Sequence, residues 1–138
     1  MKFLTALLLT GLALGVTAGC ASRQPAGGAQ GPVVSGTVNY RARIALPADA
    51  VLTLRLLDVT RPDAPAIVIA EKSVSNPGNP PIAFELPYLP GDIRAGRQIV
   101  IDARIEVAGR PRFYAEKPHP VTPDSLYRSH EVWVELTK

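Results

Sequence analysis

The stretch QIVIDARIEV, residues 98–107, gives the clearest structural signal in the sequence. Its apolar residues fall at every second position, and charged residues fill most of the positions between them. Successive side chains of a β-strand point to opposite faces, so this alternation predicts a strand with one buried face and one solvated face. The predicted buried face consists of Ile99, Ile101, Ala103, Ile105 and Val107, and the solvated face carries Asp102, Arg104 and Glu106.

Six further short segments show the same alternation, and no segment has a helical period. The 14 prolines and 11 glycines fall mainly between the apolar runs, where they act as turn and loop formers. Seven short strands with this punctuation predict an all-β fold. We expect a seven-stranded antiparallel β-sandwich, Ig-like or transthyretin-like. The six further segments are residues 33–40, 51–60, 67–74, 82–86, 112–117 and 131–136.

Composition excludes several classes of protein. The chain has 138 residues, which suits a single domain, and Cys20 is its one cysteine, so we expect no disulfide. Fifteen Lys and Arg stand against twelve Asp and Glu, and these charges form no basic stripe interleaved with aromatics. Nucleic-acid binding is therefore not expected.

The N-terminus has the organisation of a secretory leader. Lys2 is followed by an apolar run over residues 3–16 and then by small residues up to Gly19. This order predicts a signal peptide over residues 1–19. A transmembrane helix is the first alternative, but the apolar run is short for the roughly 30 Å hydrocarbon core of a bilayer. An ordinary signal peptide with an incidental cysteine is the second alternative.

The segment VTAGC, residues 16–20, resembles the lipobox of bacterial lipoproteins. The resemblance implies cleavage between Gly19 and Cys20, a diacylglycerol on the Cys20 sulfur and an acyl group on the new amine. Thr17 stands where the common lipobox has leucine. Ala21, in place of the aspartate that retains enterobacterial lipoproteins in the inner membrane, implies transfer to the outer membrane. We therefore expect a lipid-anchored protein on the periplasmic face of the outer membrane.

After the signal peptide, two parts are expected: the lipidated Cys20 with a flexible tether over residues 20–32, and a β-sandwich domain over residues 33–138. The tether is small, polar and rich in Gly and Pro, and its typical reach is about 20 Å. Three acyl chains suffice for stable anchoring. We therefore expect exposed aromatic residues of the domain to serve a partner rather than lipid.

The polar residues form no convincing catalytic or metal-binding set. Two histidines, His119 and His130, lie eleven residues apart without a cysteine in the domain, and surface or turn positions are expected for both. The carboxylate pairs Asp58 with Asp63 and Asp102 with Glu106 are candidates for acid–base work, but a solvated charged face explains the second pair better. We expect no enzymatic activity, metal or cofactor beyond the covalent lipid.

Three aromatic residues are candidates for partner binding. If Val132 and Val134 point inward, Trp133 points outward, as an interface anchor would. Tyr114 and Tyr88 are weaker candidates. The alternative for Trp133 is packing under a loop or against a neighbouring strand. We also expect the last strand to lie at a sheet edge, where unpaired backbone groups permit strand addition by a partner.

Two sequence blocks carry a resemblance to a family. They read Arg41-x-Arg43-Ile44-Ala45-Leu46-Pro47 and Phe84-Glu85-Leu86-Pro87-Tyr88. Together with their surroundings over residues 34–136, they resemble the YbaY-type lipoproteins, which are grouped with the YscW-type pilotin lipoproteins of type III secretion. The resemblance implies a seven-stranded sandwich on an outer-membrane anchor without enzymatic activity. For the pilotin branch it also implies binding of a secretin and help in reaching the outer membrane. The blocks have a structural alternative, in which their prolines fix loop geometry.

Two functions are consistent with these features. The first is a non-enzymatic lipoprotein that binds an envelope protein, in the manner of an assembly chaperone or pilotin with a secretin-like partner. The second is a carbohydrate- or small-ligand-binding module that uses Trp133, Tyr114 or Tyr88 as stacking platforms. The second function requires these rings to share a concave patch.

Overall fold

A computed structural model describes residues 31–138, which form nine strands and one short 3-10 turn at Pro123–Ser125. The predicted signal peptide, Cys20 and most of the predicted tether lie outside the described residues. No helix in the described part is long and apolar enough to cross a membrane. The strands are β1 (Val33–Asn39), β2 (Ala50–Asp58), β3 (Ile67–Ser75), β4 (Ile82–Pro87), β5 (Ile99–Val107), β6 (Arg110–Tyr114), β7 (His119–Val121), β8 (His130–Trp133) and β9 (Glu135–Leu136).

The strands form two sheets, which confirms the predicted all-β class. A three-stranded sheet has the order β4-β1-β8, and a six-stranded sheet has the order β3-β2-β5-β6-β9, with β7 also paired to β5. Most neighbours are antiparallel, but β1 and β8 are parallel. The expectation of a purely antiparallel arrangement is therefore wrong. An alternating pattern fixes the faces of a strand and contains no information about its direction.

The expected strand count of seven is also wrong. The proline-rich segment before Pro123 contains the short strand β7, which pairs with the start of β5. The predicted last strand, residues 131–136, divides at Val134. The Val134 amide donates to the Asn39 carbonyl at 2.9 Å, and the Thr137 amide donates to the Arg112 carbonyl at 2.9 Å. The chain thus crosses from the small sheet to the large sheet, and both β8 and β9 lie at sheet edges, as predicted for the last strand.

The two sheets enclose one hydrophobic core. Alternate residues of β1, β4 and β8 meet alternate residues of β2, β5 and β6 in a single buried cluster. All predicted inward residues of β5 except the partly buried Val107 are buried. The largest fully buried side chains are Phe113, Leu52, Leu54, Leu56, Leu86, Ile99, Ile101, Ile105, Val34, Val38, Val132 and Val134.

The ladders give the fold two ends. Val33 pairs with Pro87, and Asp58 pairs with both Ile67 and Ile99. The start of β1 therefore shares one end with loops 59–66, 88–98 and 122–129, which we call the entry pole. At the other end Val38 pairs with Ile82 and Ala50 pairs with Val107. Loops 40–49, 76–81 and 108–109 lie there, at what we call the distal pole.

Candidate partner-binding surface

Trp133 lies on the outer face of β8, toward the distal pole. It pairs with Asn39 at the end of β1, and 43% of its surface is exposed. The guanidinium carbon of Arg41 lies 5.4 Å from the centre of the indole ring, which is the distance of a cation–π contact. The indole therefore points outward as predicted, with one side covered by an arginine.

A shallow depression of about 250 Å³ surrounds Trp133. Tyr114, 43% exposed, does not line the depression itself, but it pairs with Glu135, which does, in the ladder between β6 and β9. Tryptophan is among the residue types enriched at interface hot spots, and the rims of interfaces are polar. The other residues that line the depression are Glu116, Lys117, His119, Glu131 and Glu135.

Tyr88, the third predicted aromatic residue, lies at the entry pole. Its amide donates to the Pro32 carbonyl at 3.1 Å, beside the start of β1. The ring is half-buried against the core, and burial, with a contribution from Tyr127, raises the pKa of its hydroxyl. The three predicted aromatic residues are thus divided between the two poles and do not form one patch.

A groove at the distal pole has no counterpart among the sequence predictions. Its volume is about 490 Å³, and it lies between the 41–47 segment and the hairpin of β5 and β6. Phe113 contributes to the groove from the core, and Ile44 is 41% exposed beside it. The lining is mostly apolar, with two arginines: Ile44, Ala45, Leu46, Pro47, Val107, Arg110, Pro111, Arg112 and Phe113.

Tyr40 holds the 41–47 segment in place. Its hydroxyl donates to the Ile44 carbonyl at 2.9 Å, and its ring stacks on Phe113 with centroids 4.5 Å apart. Burial raises the pKa of this hydroxyl, so it remains a donor. On the other side, the Leu46 amide donates to the Asn79 side-chain oxygen at 3.2 Å. A buried tyrosine and an asparagine therefore fix the wall of the groove.

Arginines give this end of the fold a positive rim. Arg43, Arg110 and Arg112 are exposed, and within residues 31–138 none of them forms a salt bridge. Arg41 covers Trp133 and is likewise without a carboxylate partner in that range. An apolar groove with unpaired arginines at its edge suits a segment that carries both apolar and acidic side chains.

The two histidines, which lie eleven residues apart in the sequence, are in contact in the structure. His119 Nε2 and His130 Nδ1 lie 3.0 Å apart, and one donates to the other. His130 is only 4% exposed, so the expectation of a surface position is wrong for it. Burial, followed by the neighbouring His119, lowers the pKa of His130. Within the described residues no group of three or more metal-ligating side chains converges on this pair or elsewhere.

The candidate acid–base carboxylates have structural partners. Asp58 is buried and accepts hydrogen bonds from the Thr60 amide at 3.0 Å and the Thr60 hydroxyl, and Arg97 donates to it at 2.7 Å. These bonds, with those of Thr60 contributing most, lower the pKa of Asp58. Asp102 is paired with Arg55 at 2.5 Å. Both carboxylates therefore tie elements together, and each is held by an arginine.

The block that carries the family resemblance in the sequence contributes to the distal groove. The block Arg41-x-Arg43-Ile44-Ala45-Leu46-Pro47 supplies its outer wall and the Arg41 side chain over Trp133. The opposite wall comes from the hairpin around Pro111, more than sixty residues later. Sequence alone gives no indication that these two segments face each other.

Comparisons with known proteins agree with this architecture. The family of type III secretion system lipoprotein chaperones (YscW) matches residues 29–132. The uncharacterized lipoprotein YbaY of Escherichia coli (strain K12) is 41% identical over 102 residues, which are 73% of this chain. Those residues span 53% of YbaY, so the chain matches about half the length of this curated relative.

A solved structure is similar over most of the described fold. It is an alternative pilotin from the type II secretion system of Vibrio cholerae, with a TM-score of 0.71 and 36% sequence identity. The match covers 77% of this chain and 96% of the pilotin chain. The family match over residues 29–132, together with these two relatives, identifies the chain as a member of the YscW family of lipoprotein chaperones.

Proposed function

We propose that this protein is a non-enzymatic lipoprotein, anchored through Cys20 to the periplasmic face of the outer membrane, that binds an envelope protein through its distal pole. The observation that carries the proposal is the arrangement of this pole. An arginine-rimmed apolar groove and an exposed tryptophan lie at the end of the fold opposite the start of β1. The chain leads back from that start toward Cys20, so the binding surface faces away from the anchor.

The proposed partner is a secretin-like protein. This class of partner comes from the similarity to a pilotin of a type II secretion system and from membership in a family of secretion-system chaperones. A pilotin-like role requires a surface that grips one segment of its client. The distal groove, about 490 Å³ and about as large as a typical small-ligand site, has room for a few side chains of such a segment.

The candidate catalytic side chains of the domain have structural partners, which supports binding rather than catalysis. The histidines hydrogen-bond each other, and Asp58 and Asp102 are held by arginines. The alternative of a carbohydrate-binding module is not favoured, because Tyr88 lies at the entry pole while Trp133 and Tyr114 lie toward the distal pole. A stacking platform would need these rings together.

Site-specific photo-crosslinking of the full chain in Gram-negative cells tests the proposal. A photoreactive residue replaces Ile44, whose side chain lines the groove, or Lys72, which is exposed on β3 away from it. We expect the probe at Ile44 to capture an outer-membrane secretin, identified by mass spectrometry, and the probe at Lys72 to capture much less. Equal capture from both positions, or none from Ile44 in correctly localised protein, would overturn the proposal.

Substitutions at the same surface provide a second readout. Trp133→Ala and a charge reversal at the groove, Arg110→Glu, should each reduce the captured secretin at least about tenfold, as expected for hot-spot residues. Lys72→Ala is the matched surface control and should leave capture unchanged. If these variants leave capture unchanged while the fold is intact, a secretin bound elsewhere on the domain is the better explanation.

A further inference from the structure

Exposed apolar side chains are distributed unevenly between the two poles. The four most exposed large hydrophobic residues of the described chain are Tyr127 at 93%, Leu89 at 71%, Ile67 at 61% and Val68 at 50%. All four lie in or next to the loops of the entry pole. The remaining four are 41–43% exposed and lie toward the distal pole: Ile44, Tyr114, Trp133 and Leu136.

The entry pole is also where the chain arrives from its N-terminal part. The Pro32 carbonyl accepts from the Tyr88 amide, which places Leu89 beside the first described residues. Cys20 precedes Gly31 by eleven residues, and even a fully extended chain of that length spans at most about 40 Å. Any surface that holds Cys20 therefore lies within this distance of the entry pole.

The charges of the entry pole are balanced. Arg61, Arg94 and Arg128 are exposed there and form no salt bridge within residues 31–138. Asp63, Asp92 and Asp124 lie in the same loops, so the two signs cancel. A charged partner has no complementary field to bind at this pole. A zwitterionic interface with an apolar layer beneath it matches exposed tyrosine and leucine side chains with flanking arginines.

We propose that the entry pole lies against the phospholipid surface that holds Cys20, with Tyr127 and Leu89 inserted at the level of the lipid headgroups. The proposal rests on the proposed lipid anchor and is separate from the identity of the partner. It modifies the expectation that every exposed aromatic residue serves a protein partner. That expectation applies to the distal pole, and the entry pole serves lipid.

Because the proposed anchor already holds the protein at the membrane, a weak contact between the entry pole and lipid is enough to orient the domain. A tether of this length holds the domain at a high effective concentration beside the membrane, so insertion of two side chains is in effect an intramolecular step. The contact then sets orientation rather than attachment. Because β1 has seven residues at about 3.3 Å each, the distal groove stands more than about 20 Å above the lipid surface.

Site-directed labelling of the full acylated chain tests this orientation. Acylation blocks the thiol of Cys20, so Tyr127→Cys or Leu89→Cys introduces the one reactive thiol, and Ile44→Cys provides the distal control. Each variant is labelled with bimane and reconstituted in vesicles of phosphatidylethanolamine with a minor fraction of phosphatidylglycerol. Lipids that carry a nitroxide near the headgroup then act as quenchers.

We expect quenching at positions 127 and 89 to exceed that at position 44 by at least about twofold, as for groups at the acyl boundary. Equal quenching at all three positions in anchored protein overturns this inference alone. Failure of the full chain to associate with the vesicles overturns the anchor as well. A further control uses vesicles without nitroxide lipid. Bimane quenching that rises with protein density in those vesicles would show that a second copy covers the entry pole, which also overturns the inference.

Hydrogen exchange on the unsubstituted chain checks the result without introduced thiols. Amides of loops 88–98 and 122–129 should exchange at least about threefold more slowly on these vesicles than in detergent micelles, since an interfacial contact excludes water. Amides of residues 41–47 should show no difference. Unchanged exchange in both entry-pole loops would contradict the inference.

Discussion

The backbone of Gly36 in β1 lies directly against the backbone of His130 in β8. A Cβ atom on Gly36 would overlap the His130 carbonyl oxygen and lie 2.9 Å from its amide nitrogen. The two residues are partners in the parallel ladder that joins β1 to β8. Glycine is required here by close backbone approach, not by an unusual dihedral angle.

Gly36→Ala should therefore reduce the free energy of unfolding by about 1–3 kcal/mol, as overpacking of a close-packed site does. Urea unfolding followed by far-UV circular dichroism measures the change. Gly31→Ala is the matched control, because a Cβ there would meet only the Tyr88 carbonyl oxygen at 3.9 Å. Equal stability of the two variants would show that β8 moves aside without cost.

Tyr40→Phe isolates the hydrogen bond that positions the groove wall. The ring stack on Phe113 remains, but the bond to the Ile44 carbonyl is lost. We expect a loss of about 1 kcal/mol, together with faster amide exchange in residues 41–47. Tyr114→Phe, on an exposed ring, should change stability by less than about 0.5 kcal/mol. Unchanged exchange in the 41–47 segment would show that Asn79 and Pro47, rather than the tyrosine hydroxyl, hold this segment in place.

Arg41→Ala should alter the environment of Trp133, the one tryptophan of the chain. Removing the guanidinium exposes a face of the indole, so its emission should shift to longer wavelength and acrylamide quenching should rise. The contact is partly exposed, so we expect a stability change of no more than about 1 kcal/mol. Arg43→Ala is the control and should leave emission unchanged. A spectrum unaffected by Arg41→Ala would mean that the cation–π contact is not maintained in solution.

His130 should make stability depend on pH. Burial and then His119 lower the pKa of His130 in the folded protein. As pH falls below about 6.5, the unfolded chain takes up a proton that folded His130 resists. The free energy of unfolding should then fall, by at most about 1.4 kcal/mol per pH unit for this one proton, until pH reaches the lowered folded-state pKa.

Urea titrations at several pH values between 7.5 and 5 measure how the free energy of unfolding changes with pH. His130→Asn should flatten this slope, whereas His119→Asn should leave much of it, because burial is the larger cause of the shift. A slope that survives His130→Asn would assign the titration to another group.

The sequence predicts the local elements of this fold well and their long-range pairing poorly. The alternation in residues 98–107 locates β5 to within one residue, because one buried face requires a period of two. The same pattern cannot reveal that β8 pairs parallel to β1. It also misses β7, a three-residue strand that contains Pro120 and pairs with the start of β5.

The candidate surface shows the same division. The parity of residues 131–136 correctly places Trp133 outward, since Val132 and Val134 are buried. The arginine over its ring and the groove beside it depend on contacts between segments far apart in the chain. The sequence groups Tyr88 with Trp133 by residue type alone, and the fold places Tyr88 at the other end.

The position of β1 between β4 and β8 determines how the domain would carry a mechanical load. If the proposed anchor and client are both bound, a pull from the membrane would enter at Val33 along the axis of β1, which lies between β4 and β8, and the client would pull from the distal pole. The hydrogen bonds of both ladders run across this axis, so the force shears all of them together instead of opening them one by one. Strands loaded in shear resist rupture far better than strands peeled from an end. Under the proposed function, β1 would therefore link the lipid anchor to the bound client as a strand loaded in shear between β4 and β8.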